Sequence, residues 1–177
     1  MKQDTRPAIE MAERYLQTCF ALSGKRSLIL TGEKQCGKTS VLRAMTNDAK
    51  LPGFHTYLRQ DATRTVWLQD NLTDETVQIG RIQNGMMQPM MQNFETRGVQ
   101  LLQAAENAQS EFVLLDEIGF LECNCPAFCA AVLHVFDKKR LLAVVRKQTL
   151  PFLDALKQRE DVYCVDLETL YTAVRKL

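Results

Sequence analysis

A glycine-rich run that ends in lysine and threonine carries the clearest chemistry in this sequence. The run from Gly32 to Thr39 matches the pattern GxxxxGK[ST]. In such a loop, glycines let successive backbone N–H groups point into one concavity, and the following helix adds a positive dipole end that attracts phosphate. The pattern places Lys38 on the β- and γ-phosphates, a catalytic role, and the Thr39 hydroxyl on Mg²⁺. The predicted nucleotide contacts are Gly32, Glu33, Lys34, Gln35, Cys36, Gly37, Lys38, Thr39 and Ser40.

Two adjacent carboxylates follow a continuous apolar run further along the chain. Asp116 and Glu117 end the run that begins at Glu111, which is typical of a buried parallel strand. We expect Asp116 to hold Mg²⁺ together with Thr39. Glu117 is expected to orient or deprotonate the water that attacks the γ-phosphate. The alternative is that these acids only cap and solubilise a strand end.

Charge that develops on a transferring phosphoryl group also requires a cation. Arg146 and Lys147 end the apolar run after the acidic one, and in sheets of this type that strand lies between the phosphate-loop strand and the acidic strand. Arg146 is therefore the predicted catalytic cation, against the alternative of a solvated strand end. The weaker candidates are Arg59, Arg64 and Arg81.

The elements that must position these groups alternate between strand and helix, which predicts a mostly parallel α/β sheet with helices on both faces and an added β-hairpin. Strands are predicted at 27–31, 53–58, 63–68, 77–82, 111–117, 140–145 and 161–166. Helices are predicted at 5–22, at 40–45, at 93–108 starting with Asn93, at 126–138, from Pro151, and at the C-terminus. The strands at 53–58 and 63–68 form the hairpin. Residues 84–91, with four methionines, are predicted to be a connecting loop, with a mobile lid as the alternative.

Composition sets the broad class. The chain has 177 residues and a formal net charge of +1, which gives no overall electrostatic signature of a nucleic-acid partner. We read residues 1–177 as one cytoplasmic domain because there is no signal-like or membrane-spanning apolar stretch. Its first 22 residues form an amphipathic helix that packs on the sheet or, alternatively, binds a partner. The identity of any protein partner stays unknown.

Six cysteines are expected to be free thiols in a reducing compartment. Cys123, Cys125 and Cys129 lack a usual metal-ligand spacing, so they are predicted to be ordinary buried or surface thiols. Cys36 lies inside the phosphate loop at a helix start, where a lowered thiol pKa would make it oxidisable, although an ordinary small loop residue is the simpler interpretation.

The combined motifs resemble the small P-loop nucleoside-triphosphatase family known from thermophilic bacteria and, in a cancer-related form, from humans. The resemblance covers roughly residues 27–168. It rests on Thr31 to Thr39, Gly53-Phe54-His55-Thr56, Ile79-Gly80-Arg81, Leu115-Asp116-Glu117-Ile118-Gly119, Leu121-Glu122 and Pro151-Phe152-Leu153. It implies a RecA-like fold and slow Mg²⁺-dependent hydrolysis of ATP, GTP and other nucleoside triphosphates. Two departures are Phe120, where the family often has lysine, and Leu167-Glu168-Thr169-Leu170, which supplies no Asn-Arg pair.

Three functions are therefore consistent with the sequence. The leading one is a nucleoside-triphosphate phosphohydrolase that uses Lys38, Thr39, Asp116 and Glu117. A nucleotide or small-molecule kinase would need an acceptor pocket and usually an arginine-bearing lid. A nucleotide-dependent switch would act on a protein partner through the N-terminal helix and the methionine segment.

Overall fold

The computed structural model describes residues 6–60 and 63–174, with side chains from residue 9 onward. Its strands are β1 (Ser27–Thr31), β2 (Gly53–Gln60), β3 (Arg64–Asp70), β4 (Thr76–Gln83), β5 (Met86–Pro89), β6 (Phe112–Ile118), β7 (Arg140–Val145) and β8 (Val162–Asp166). Its α-helices are α1 (Arg6–Ser23), α2 (Lys38–Met45), α3 (Met91–Asn93), α4 (Val99–Asn107), α5 (Pro126–Lys138), α6 (Pro151–Lys157) and α7 (Leu167–Val174). A π-helical segment (Phe94–Gly98) joins α3 to α4, and a 3₁₀ turn (Glu122–Asn124) precedes α5.

The eight strands of the described residues form one sheet in the order β5-β4-β3-β2-β6-β7-β1-β8. Five neighbouring strands of this sheet pair in parallel, in the order β2-β6-β7-β1-β8. Strand β7 lies between β6 and β1, as predicted, so Arg146 follows a strand that separates the acidic strand from the phosphate-loop strand. Because the carboxyl ends of parallel strands meet at one edge, the predicted site residues converge there.

Alternation along the buried strands divides the core between the two faces of the sheet. On β1, Ile29 packs with α4, α5 and α6, whereas Leu28 and Leu30 pack with α1, α2 and α7. Aromatic contacts fill the first side, where the rings of Phe54 and Phe128 lie 6.0 Å apart. Helices therefore cover both faces, and the predicted α/β class is confirmed.

The four strands β2 to β5 form an antiparallel extension, here called the wing. The predicted hairpin is confirmed as β2 and β3, although residues 61–62 of its turn lie outside the described residues. The predicted loop at 84–91 is wrong, because Met86–Pro89 is strand β5. Asn84 (φ 51°) and Gly85 (φ 76°) make the two-residue turn before it, since both tolerate the left-handed backbone that such hairpins need. The methionine segment is thus a paired edge strand instead of a lid.

The helix predicted to start at Asn93 begins two residues earlier, at Met91. Asn93 does not cap it; its side-chain amide donates a hydrogen bond to the backbone oxygen of Gln78 on β4 (2.7 Å). The π-helical segment ends at Gly98, where a Cβ would lie 2.8 Å from the Phe128 ring. Glycine therefore lets this helix approach α5 closely.

Helix α1 packs on the sheet as predicted. Ala12, Leu16 and Phe20 are buried against α2 and α7. Other apolar residues of the helix are exposed, among them Met11 (48%) and Leu22 (81%). Of the helices in the described part of the chain, none is long and apolar enough to cross a membrane.

Candidate nucleotide site

The loop between β1 and α2 has the backbone that phosphate binding requires. Gly32 (φ 142°) and Gly37 (φ 98°) adopt conformations that side chains disfavour, and a Cβ on Gly32 would lie 2.9 Å from the Cys36 sulfur. Helix α2 starts at Lys38, directly after the loop. The unpaired N–H groups of its first turn therefore face the loop's concavity.

Lys38 lies folded into this concavity and is only 7% exposed. Its Nζ donates hydrogen bonds to the backbone oxygens of Gly32 (3.1 Å) and Glu33 (2.7 Å), and it lies 3.8 Å from Cys36 Sγ. The oxygens of a bound phosphate would replace these carbonyl oxygens as hydrogen-bond acceptors of the ammonium group.

A pocket of about 330 Å³ opens over the loop. It is lined by Lys34, Gln35, Gly37, Lys38, Thr39, Ser40, Asp116, Glu117 and Val144. The structure therefore brings six of the nine predicted nucleotide contacts and both predicted carboxylates around one space. Of the other predicted contacts, Gly32 and Glu33 lie at the base of the loop, where Lys38 reaches their carbonyls.

Thr39 and Asp116 both line this pocket, which is here called the phosphate pocket after its predicted role. Burial raises the pKa of Asp116, which is 8% exposed, and a hydrogen bond with the Thr39 side chain opposes that rise. A hydroxyl and a carboxylate supply the oxygen ligands that Mg²⁺ prefers, and Mg²⁺ usually takes its other ligands from water and substrate phosphates. The donor set therefore fits the predicted metal.

Glu117 sits at a bulge near the end of β6. Asp116 pairs with Val144 and Ile118 with Val145, so Glu117 falls between successive rungs of the ladder. Its backbone N–H donates to Thr56 Oγ1 (3.3 Å), and its carboxylate lies 3.3 Å from Arg146 Nε. Sequence reasoning missed Thr56, whose position depends on the parallel pairing of β2 with β6.

Arg146 is the one of the four arginine candidates that contacts Glu117. Arg59 instead stacks on the Trp67 ring at 4.7 Å, and Arg81 is exposed on β4. Arg64 lines a separate cleft, described below. The predicted cation at the end of β7 therefore lies beside the predicted general base.

Lys147, the neighbour of Arg146, has a different environment. Its Nζ lies 2.9 Å from Asp166 and 3.2 Å from Glu168, which are at the end of β8 and the start of α7. These two carboxylates raise the pKa of Lys147. Lys147 therefore ties α7 to the sheet beside the phosphate loop, where Glu168 also accepts the Glu33 N–H (3.3 Å).

A cleft of about 510 Å³ adjoins the phosphate pocket on the side of the wing. It shares Lys34, Gln35 and Glu117 with that pocket but has no lining from Lys38, Thr39 or Ser40. Its other lining residues are Thr56, Tyr57, Leu58, Gln60, Arg64, Val66, Met87, Gly119, Phe120, Leu121, Glu122 and Arg146. The two spaces therefore adjoin each other along Lys34, Gln35 and Glu117.

Glu122 is a further acidic side chain at this edge of the sheet, 3% exposed at the start of the 3₁₀ turn. Its carboxylate accepts a hydrogen bond from the Gly119 N–H (2.9 Å). Burial raises the pKa of Glu122 to about 7, although backbone hydrogen bonds and the positive charge of Arg146 act in the opposite direction. Its burial depends on tertiary packing, and its contact with Gly119 depends on a local turn that no short pattern specifies, so sequence reasoning assigned it no role.

The three clustered cysteines donate hydrogen bonds to backbone oxygens in the same turn. Cys123 donates to Gly119 (3.4 Å), Cys125 to Leu121 (3.7 Å) and Cys129 to Glu122 (3.1 Å). Burial raises the pKa of Cys125 to about 12, which keeps its thiol protonated. Within the described ranges, no group of three or more His, Cys, Asp or Glu side chains could hold a metal ion.

Comparison with known proteins agrees with this geometry. A family model described as NTPase matches residues 27–170, most of the chain. The chain belongs to this NTPase family. The match confirms the family resemblance inferred from the motifs.

Relatives in the family share modest identity over most of their length. The nucleoside-triphosphatase THEP1 of Thermotoga sp. (strain RQ2) is 26% identical over 149 residues, which cover 79% of this chain and 85% of the relative. The THEP1 protein of Thermotoga maritima is 23% identical with the same coverage. The crystal structure of THEP1 from Aquifex aeolicus superposes with a TM-score of 0.65 at 16% identity, covering 85% of this chain and 95% of that one. That structural likeness supports the same P-loop NTPase fold.

Proposed function

We propose that this member of the NTPase family is a Mg²⁺-dependent phosphohydrolase of nucleoside triphosphates such as ATP and GTP. The observation that carries the proposal is the position of Glu117. It borders the phosphate pocket beside Asp116, and Thr56 and Arg146 hold it in place. A carboxylate at this position can orient water toward a γ-phosphate.

Substrate binding requires an exchange of partners at Lys38. Its ammonium leaves the oxygens of Gly32 and Glu33 and takes up β- and γ-phosphate oxygens. The N–H groups at the start of α2 hold the remaining phosphate oxygens. Thr39 and Asp116 would hold Mg²⁺, which would further neutralise the phosphate charge.

The chemical step requires that the ion pair between Glu117 and Arg146 separates and that each side chain takes a new partner. Arg146 is 38% exposed and can turn its guanidinium toward the γ-phosphate, which frees the Glu117 carboxylate to accept a hydrogen bond from water. Water then forms a bond to γ-phosphorus while the β–γ bridging bond breaks, and Glu117 takes the proton. Arg146 stabilises the charge that develops on the phosphoryl oxygens.

The experiment that tests this proposal measures free phosphate from a panel of nucleoside triphosphates, with and without Mg²⁺. We expect release that requires Mg²⁺ and falls at least about a hundredfold in Lys38→Ala. Lys138→Ala is the matched control, because Lys138 is exposed at the C-terminal end of α5, next to the start of β7 and therefore at the opposite edge of the sheet from the loop. Release that survives in Lys38→Ala, or that needs no divalent cation, would contradict the assignment.

The cleft beside Glu117 favours a second candidate function, transfer of the phosphoryl group to a small alcohol. Water needs only about 30 Å³, whereas the cleft offers about 510 Å³ beside Glu117 and has no lining from Lys38. Glu117 could take the proton from a hydroxyl while the hydroxyl oxygen bonds to γ-phosphorus, but its negative charge would repel a phosphate acceptor. An alcohol of nucleoside size therefore fits this space best.

The two candidates are separated by following labelled γ-phosphate in the presence of adenosine, guanosine, cytidine or uridine. Hydrolysis predicts that all the label appears as free phosphate. Label on a nucleoside would instead identify a kinase, and filling the cleft with Val66→Trp should then reduce the transfer.

We also propose that residues 1–177 act as one domain in the cytoplasm. A single sheet carries all the predicted site residues, and the described cysteines are free thiols. The partner-switch alternative loses its main support, because α1 buries Ala12, Leu16 and Phe20 within the protein.

A further inference from the structure

We propose that Glu122 is a positioning residue that holds the Arg146 side chain across the turn after β6, where its guanidinium can reach both Glu117 and the γ-phosphate. The proposal rests on the proposed hydrolysis, in which Arg146 contacts the γ-phosphate. Glu122 itself touches neither the substrate nor the reacting atoms; it acts through the backbone of Gly119.

The first step of the argument is the contact between Glu122 and Gly119. The Glu122 carboxylate accepts the Gly119 N–H at 2.9 Å, with the side chain almost fully buried. A buried carboxylate is costly unless it is hydrogen-bonded, so this contact fixes the conformation of the turn after β6.

The second step is the contact between Gly119 and Arg146. A Cβ built on Gly119 would lie 3.0 Å from Cδ and 3.2 Å from Nε of Arg146, so the arginine side chain lies directly across the glycine backbone. The Arg146 N–H also donates to the Ile118 oxygen (2.9 Å). A shift of Gly119 would therefore displace the guanidinium that lies 3.3 Å from Glu117.

The third step concerns the rest of the turn, which is held by hydrogen bonds to its carbonyl groups and by packing on the wing. The three thiol hydrogen bonds described above satisfy the carbonyls of Gly119, Leu121 and Glu122. Leu121 also packs on the wing, 3.0 Å from the place where a Cβ would stand on Gly80. These contacts hold the carbonyl groups of the turn, whereas its Gly119 N–H is held by the Glu122 carboxylate in the described structure.

The charged groups around Glu122 are consistent with this role. Arg146 is the cation whose charge favours the ionised carboxylate, while Glu117 disfavours it. The thiols of Cys123, Cys125 and Cys129 are kept neutral by burial. Arg146 therefore lies within the electrostatic reach of two carboxylates, one that it contacts and one that supports the backbone beneath it.

The test compares Glu122→Ala with Glu122→Gln in steady-state hydrolysis. We expect Glu122→Ala to lower kcat by about tenfold to a hundredfold with KM changed less than about twofold, because Arg146 acts on the transition state. Glu122→Gln should restore most of kcat, since an amide oxygen can also accept the Gly119 N–H. Glu95→Ala is the matched control, because Glu95 accepts the Ala127 N–H at the start of α5 (3.2 Å), away from the pocket.

A second readout does not depend on hydrolysis. Phenylglyoxal labelling followed by peptide mass spectrometry measures how accessible Arg146 is, with exposed Arg81 as the internal reference. We expect Arg146 to react several-fold faster in Glu122→Ala than in the parent protein and in Glu95→Ala. If the parent fails to hydrolyse nucleotides but this labelling difference appears, the hydrolase proposal fails while the positioning contact stands.

Gly119→Ala keeps the test decisive if Glu122→Ala does not fold, because it displaces Arg146 without removing the carboxylate. We expect it to lower kcat while KM stays within about twofold. Parent-like kcat in Glu122→Ala, failure of Glu122→Gln to restore kcat, or unchanged labelling of Arg146 would overturn the proposal.

Discussion

The buried carboxylate of Glu122 makes the stability of the protein depend on pH, and replacing it with glutamine should remove that dependence. Glu122 is 3% exposed, and burial raises its pKa from 4.5 to about 7. Between these two values the unfolded chain loses the proton while the folded protein keeps it. Stability therefore falls as pH rises from about 4.5 to 7 and stays lower above that range.

The size of the effect follows from the two pKa values, since each unit of difference corresponds to about 1.36 kcal/mol. At pH 5 this residue costs about 1 kcal/mol of folding free energy, and at pH 8 it costs about 3 kcal/mol. The free energy of unfolding should therefore drop by about 2 kcal/mol more in the parent than in Glu122→Gln between pH 5 and pH 8.

Urea unfolding of both proteins at pH 5 and pH 8, followed by circular dichroism, measures this difference. Ionisations common to the two proteins cancel in the comparison. Equal pH dependence in the parent and Glu122→Gln would refute the reasoning, as would a parent that gains stability relative to the variant toward pH 8.

Two further predictions concern residues that support the site. Gly53→Ala should destabilise the protein by about 3 kcal/mol or more, because Gly53 has φ 119° and a Cβ there would lie 2.1 Å from the Leu114 oxygen. Gly24→Ala is its control in the same urea assay, since Gly24 (φ 65°) has open space and should cost only about 1 kcal/mol; equal losses would contradict this account. Thr31→Val should raise the free energy of unfolding by about 1 kcal/mol, because the buried Thr31 hydroxyl has no hydrogen-bond partner in the described structure. A loss of more than about 0.5 kcal/mol in thermal or urea unfolding would show that the hydroxyl is in fact stabilising.

The parts of the site that follow from local pattern could be predicted from the sequence. The loop at Gly32 to Thr39 lies between β1 and α2, and Asp116 lies in the terminal part of β6. The position of β7 between the acidic strand and the phosphate-loop strand was also predicted, and this order brings Arg146 to the end of β6, where it contacts Glu117.

The contacts that depend on tertiary packing could not be predicted in this way. Thr56 reaches Glu117 through pairing between strands about 60 residues apart in sequence. Gly119 and Glu122 gain their contacts from a turn whose conformation no short pattern specifies. These residues orient the groups that the motifs identify.

The error at β5 has a different origin, because the signal was present in the sequence. Asn84-Gly85 is a typical two-residue hairpin turn, but the methionines after it have no strong preference for strands. Pairing with β4 decides their conformation. The turn residues were therefore a better guide than the composition of the strand.

The central claim, that Glu117 activates water for attack on a bound nucleotide, is tested most directly by Glu117→Gln in single-turnover hydrolysis. Glutamine keeps the size and hydrogen-bonding reach of the side chain but cannot accept the proton. We predict that the variant binds a nucleoside triphosphate and Mg²⁺ within about threefold of the parent affinity, while cleavage slows by about a hundredfold or more. Parent-like cleavage by Glu117→Gln would contradict the account.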